Sequence, residues 1–254
     1  MRAYPEKMSI KGETFYFEKI LKDDFFSVNV LYRNPEGVRY VLKLSDFRFF
    51  LGSLLKPLAM FFSWREYKIY KMLEDIEGIP PLGPRFGRRG YFHKYIEGKT
   101  LHDMEQGGTV PDDFFGKLKS IISQLHDRRI FYLDLNKRGN IIIGEDMQPY
   151  LIDFQISLFI RKKRGLAGLI ADGVFNRLIR EDIYHLYKHK RHFQPQLMTD
   201  EELGFATRTR FNEALNRYLG TPYRKVKRLI YPHGSNEIVW YKWKKMKDRS
   251  KRMP

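Results

Sequence analysis

The sequence predicts an α+β protein in which a small antiparallel sheet comes first and a mostly helical part follows. Apolar, β-branched runs alternate with turn residues between positions 13 and 44, the pattern of hairpin-connected strands. From Asp112 onward the apolar residues recur at helical spacing instead. Between and after these lies Phe131 to Ser157, FYLDLNKRGNIIIGEDMQPYLIDFQIS. It reads as a short strand, a polar loop and a hairpin, with Asp134 and Asn140 on the loop and Asp153 just past the second hairpin strand. Three oxygen-bearing side chains near one point suit a hard cation such as Mg²⁺ shared with phosphates.

Composition narrows the class. At 254 residues, 43% hydrophobic and 15% aromatic, the chain can bury a substantial core as one domain or two lobes. It has no cysteine, which excludes disulfides and thiolate metal sites and fits a reducing compartment. No run of 18 apolar residues occurs, and MRAYPEKMSI lacks a signal-peptide core; the expectation is a cytoplasmic protein. The formal charge of +17 attracts an anionic partner: nucleic acid, acidic headgroups or a phosphorylated substrate. From Thr221 to Pro254 eleven Lys/Arg face Glu237 and Asp248, a net of about +9. No nucleic-acid-binding motif accompanies the charge.

In chain order, Thr14–Phe17, Ser27–Tyr32 and Val38–Leu44 are strand-like, with Asn34-Pro35-Glu36-Gly37 as a hairpin turn. Residues 46–62, DFRFFLGSLLKPLAMFF, are apolar but broken by Arg48, Lys56 and Pro57. They are expected to pack in the core rather than lie at a membrane surface. Ser63–Leu73 has helical spacing, with Ser63 able to cap it and Glu66 at the capping-box position. Asp112 to Arg128 is a helix with Phe115, Leu118, Ile121, Ile122 and Leu125 on one face, and His126 near its end is expected in solvent. Helical patterns follow at 166–192 and 200–219, with a capping box at Thr199 and Glu202. Residues 223–243 read as extended, leading to a basic, partly disordered tail.

The segment Tyr132-Leu133-Asp134-Leu135, with Asn140 and Asp153-Phe154-Gln155, resembles the catalytic core of the protein-kinase superfamily. Asn140 and Asp153 stand at the family's usual separation. The likeness covers Phe17 to Gln155 and is nearest to bacterial lipopolysaccharide Kdo and heptose kinases, with RIO-type kinases close behind. It implies a bilobal protein-kinase-like fold: an N-lobe at 1–95 with one main helix, a C-lobe at 96–220, and an extended basic segment at 221–254. It also implies roles. Asp134 is the catalytic base, Asn140 and Asp153 hold Mg²⁺, and Lys43, in a V-L-K-L context, grips the ATP phosphates in a pair with Glu66. Val28 covers the adenine, and the backbone of Lys94 and Ile96 meets its edge at a hinge in Tyr91–Leu101. Gly78-Ile79-Pro80-Pro81 resembles the turn after the Glu66 helix.

This chain departs from the family pattern in four places. Asn140 lies six residues after Asp134 where five is usual, an insertion expected at Gly139. Tyr132 and Leu133 replace histidine and arginine, and Gln155 replaces glycine. The loop expected to carry glycines is Leu-Lys-Asp-Asp-Phe-Phe at 21–26, whose two aspartates repel phosphate. The long activation segment is missing, so regulation by loop phosphorylation is not expected. The implied activity is transfer of the ATP γ-phosphate to a hydroxyl, on a lipopolysaccharide-type glycolipid sugar or, in the RIO-like alternative, on a protein. A catalytically weak scaffold and a basic nucleic-acid-binding module are the rival classes. Lys137 in the loop and Arg161, Lys162, Lys163 and Arg164 after Asp153 are expected to receive an acidic acceptor, with peripheral contact to the anionic inner face of a membrane.

Overall fold

Alternation of side chains across paired strands builds the N-terminal sheet. A computed structural model describes residues 4–23, 27–45, 56–162 and 164–207. In it β1 (Lys7–Ile10), β2 (Glu13–Asp23), β3 (Ser27–Arg33), β4 (Arg39–Ser45), β5 (Leu82–Phe86) and β6 (Gly90–Lys94) form a six-stranded sheet. All neighbours are antiparallel, in the order β1-β2-β3-β4-β6-β5. The β3–β4 turn closes as its residues demand. The Asn34 side-chain oxygen accepts the Val38 N–H at 2.8 Å, and Gly37 takes φ 84°, cheap for glycine alone. One sheet face buries Phe15, Val28, Val30, Tyr32, Leu42 and Phe92 together, with Phe15 and Phe92 stacked at 4.3 Å.

The other face packs on α1 (Lys56–Met72). This helix starts well before Ser63, which is buried in its interior with its hydroxyl unpaired. The expected Ser63 cap is therefore wrong: the apolar run before it continues the helix instead of preceding it. Of that run, Ala59 is buried and Phe61 half exposed; 46–55 lie outside the described residues. Gly78 follows at φ 93°, where a Cβ would sit 2.3 Å from Ile121 and 2.7 Å from the Pro149 carbonyl. That close approach lets the Gly78 carbonyl accept the Leu151 N–H at 2.9 Å.

Helices come later. β7 (Gly98–Thr100), α2 (Phe114–Asp127), β8 (Ile130–Phe131), β9 (Ile141–Gly144), β10 (Pro149–Leu151), β11 (Leu158–Phe159), α3 (Leu166–Phe193) and α4 (Asp200–Phe205) complete the described chain. The hairpin β9–β10 forms as expected, β7 pairs with β9, and β11 pairs with β8. The five apolar residues expected on one face of α2 are all buried. They join Ile69, Tyr70 and Tyr91 of the N-terminal part and Ile141, Ile143, Leu151 and Leu186 in one core. The Thr199–Glu202 capping box starts α4. The architecture is α+β, sheet first and helices after. The helix expected beyond 207 and the extended segment 221–254 lie outside the described residues, and no described helix is long and apolar enough to cross a membrane.

Candidate active site

Strand period places Lys43 on the face of β4 that meets α1, opposite Leu42 and Leu44. A buried ammonium needs partners, and Lys43 finds two. It donates to Glu66 Oε1 and to Asp153 Oδ1, each at 2.7 Å. A strand, a helix and a loop 110 residues further on thus meet at one nitrogen. Burial alone would lower the Lys43 pKa, but Asp153 and Glu66 more than reverse that and hold it charged. Burial likewise pushes the Asp153 carboxyl up; Lys43, with the charges of Lys137 and Lys22, overrides it and brings the pKa down to about 2. Glu66 serves this ion pair, mid-helix, and not a helix cap.

The backbone around Asp153 is held from several sides. Asp153 itself has φ 66°, a conformation disfavoured for a side chain with Cβ and sustained by its surroundings. Phe154 is fully buried against Tyr70, at 4.8 Å between ring centres, and Tyr132, at 5.2 Å. The Tyr132 hydroxyl donates to the Ile152 carbonyl, and the Arg65 guanidinium of α1 donates to the Gln155 carbonyl. Tyr132 thereby links the Asp134 loop to the Asp153 segment.

Asp134 follows β8 after Tyr132 and Leu133. Its Oδ2 accepts from Lys137 Nζ at 2.5 Å and from Asn140 Nδ2 at 2.9 Å. The loop from Asp134 to Asn140 closes in a 3-10 turn at Arg138–Asn140. In it the Lys137 N–H donates to the Asp134 carbonyl and the Asn140 N–H to the Lys137 carbonyl. Gly139 is not what permits it: a Cβ there would meet nothing within 4 Å and its φ is not positive. Leu133, at φ 62°, and Tyr132 both give their N–H groups to the carboxylate of Asp182, buried on α3. His126 binds the same carboxylate at 3.0 Å, so this histidine is buried and not in solvent as expected. His189, also on α3, reaches the Leu135 carbonyl through Nε2 at 2.7 Å. Burial lowers its pKa to about 4, so the ring is neutral, donates from Nε2, and keeps Nδ1 as acceptor for Arg138 at 3.4 Å.

Lys43, Glu66 and Asp153 are thus in direct contact, as are Asp134, Asn140 and Lys137, and Lys137 is linked to both sets. Val28 is not with them. It pairs with Leu44 and is buried on the opposite sheet face, because it is one residue out of phase with Lys43. Its neighbour Asn29 pairs with Lys43 across β3–β4 and takes the site-facing position, with its buried Oδ1 unpaired. Lys94 ends β6 and Ile96 lies just beyond, where the chain crosses to β7. The Lys94 carbonyl is met by His93 Nδ1 at 3.0 Å; burial lowers the His93 pKa to about 4, so this neutral ring donates from Nδ1. Arg161, Lys162 and Arg164 are exposed, and Lys163 lies outside the described residues.

Three residues of the site escape a reading by pattern. Asp182 and His189 lie inside a helix that reads as ordinary amphipathic sequence. Lys22 lies near the end of the long strand β2, and its charge acts on Asp153. Among the described residues no group of three or more His, Cys, Asp or Glu is placed to hold a metal. One carboxylate, Asp153, and one amide, Asn140, suit a hard cation that takes its remaining oxygens from water and phosphate. Comparison with protein-family models and with curated proteins finds no match for the chain.

Proposed function

We propose that this chain is an ATP-dependent phosphotransferase with a bilobal protein-kinase-like fold, passing the γ-phosphate to a hydroxyl of an acidic acceptor. The observation that carries the reading is Lys43, held at 2.7 Å from both Glu66 and Asp153. A charged lysine fixed at a strand end beside an ionised aspartate is a phosphate and cation site in waiting. Lys43 donates to phosphate oxygens while Glu66 keeps it aimed. Asp153 and the amide oxygen of Asn140 would hold Mg²⁺, which would offset the negative charge of the phosphates. Asp134 orients the acceptor hydroxyl and takes its proton as the oxygen bonds to phosphorus and the bond from the γ-phosphorus to the bridging oxygen breaks, releasing ADP.

The missing glycines of 21–26 find a physical substitute in this reading. A glycine-rich loop offers backbone N–H groups; here the cations Lys22, Lys43 and Lys137, all acting on Asp153, offset phosphate charge instead. The acceptor is proposed to be an acidic, lipopolysaccharide-type glycolipid, since Arg161, Lys162 and Arg164 follow Asp153 on an exposed stretch of a strongly basic chain.

Fluorescent-nucleotide titration with and without Mg²⁺ tests the site. Asp153→Ala should abolish the Mg-dependent part of nucleotide binding, and binding equal to wild type would refute this placement. Phosphate transfer assayed on acidic glycolipid and on protein then separates the acceptors. Mg-dependent binding with turnover on neither points to a nucleotide-binding scaffold.

A further inference from the structure

The first half of α3 carries an apolar stripe on its outward face. Leu166, Leu169, Ile170 and Val174, at i, i+3, i+4 and i+8, share one face. Among the described residues nothing covers that face: they are 75%, 72%, 63% and 48% exposed. The inner side is held by a mixed set of contacts. Asp172 accepts from Arg129 at 2.7 Å, Arg129 lies 4.1 Å over the Phe175 ring, and Phe175 packs edge-on to Phe131 at 4.9 Å. These contacts fix the helix rotation, so the apolar stripe cannot turn inward. Phe159 of β11, 48% exposed, adds to the apolar surface just before the helix. Between it and Leu166 stand the exposed cations Arg161, Lys162 and Arg164.

We infer that this stripe is an interfacial anchor that seats the protein on an anionic lipid bilayer. Four branched aliphatic side chains need an apolar layer, and the cations beside them need negative charge at its rim; a bilayer of acidic lipids supplies both in that order. A second copy docked face to face would bring the same cations against their like. The segment 221–254, net about +9, carries the same sign and is repelled in the same way. Nucleic acid matches the charge and leaves the aliphatic residues in water. β11 is hydrogen-bonded to β8, which leads through Tyr132 and Leu133 to Asp134, so a surface bound here lies beside the strand that precedes the candidate base. The inference stands on exposure and charge and does not require phosphotransfer.

The test is cosedimentation of the full chain with vesicles of phosphatidylglycerol and of phosphatidylcholine. Wild type should bind the anionic vesicles, less at high salt. Leu169→Glu/Ile170→Glu should lose roughly 100-fold in partition, since two buried aliphatic side chains each contribute about tenfold or more. Nucleotide binding should stay unchanged. Leu169→Ser/Ile170→Ser serves if the double glutamate lowers the unfolding midpoint. Arg161→Gln/Lys162→Gln/Arg164→Gln should reduce both affinity and its salt dependence. Asp153→Ala should bind vesicles as wild type does, which separates this inference from the nucleotide site. Equal vesicle binding by wild type and the Leu169/Ile170 variants would overturn it. So would a wild-type dimer in sedimentation velocity that becomes monomeric in those variants with no vesicle binding by either.

Discussion

The carboxylate of Asp182 accepts the Leu133 N–H at 2.9 Å, and Leu133 sits at φ 62°. A leucine in that region is strained, and the strain persists where neighbours over-determine the backbone. Asp182 does so from α3, holding also the Tyr132 N–H and His126, each at 3.0 Å. The peptide groups immediately before Asp134 are therefore fixed by a residue 48 positions downstream.

Asp182→Ala leaves two buried N–H groups and a histidine unpaired. Thermal and urea unfolding should show a loss of about 3 kcal/mol, with the proposed phosphate transfer reduced further as Leu133 relaxes. Asp182→Asn keeps an acceptor and should recover part of both. A fully stable Asp182→Ala protein would mean that the loop is held by other contacts.

Lys22 is exposed at the end of β2 yet acts on Asp153. If it offsets phosphate charge, Lys22→Ala should weaken nucleotide binding by about fivefold at low salt, the scale of one exposed charge interaction, and by less at high salt. Equal affinity in the variant at low salt would remove Lys22 from the site.

His93 and His189 are buried with pKa values lowered from 6.5 to about 4. Their neutral rings are bonded to the Lys94 and Leu135 carbonyls. Between these values the unfolded chain binds protons that the folded one refuses. Stability from the neutral rings is therefore complete above pH 6.5 and falls as pH drops toward 4, by up to about 1.4 kcal/mol per pH unit for each histidine. Urea unfolding across this range should show the decline, and His189→Gln should shallow it by about one histidine's share. An unchanged slope in that variant would show that His189 titrates normally in the folded protein.

Local sequence determined much of this protein. The 3.6-residue spacing of Phe115, Leu118, Ile122 and Leu125 marked the buried face of α2, and Asn34–Gly37 marked a turn, because both depend on neighbours along the chain. The strand, loop and hairpin pattern of 131–157 singled out Asp134, Asn140 and Asp153, whereas Lys43 and Glu66 stood out only through the resemblance to the protein-kinase superfamily. Tertiary structure decided the rest. In a strand a shift of one residue reverses the face, so only pairing with β4 put Asn29 beside Lys43 and Val28 on the far side. Ser63 could cap a helix by its identity, but packing of the residues before it let α1 begin earlier. Asp182 and His126 read as polar positions on helices until the fold brought them together under the Asp134 loop. The apolar stripe at Leu166–Val174 has the periodicity of a core face. It is exposed because Arg129 and Phe131 hold the opposite side of the helix, a rotation that depends on contacts more than thirty residues away.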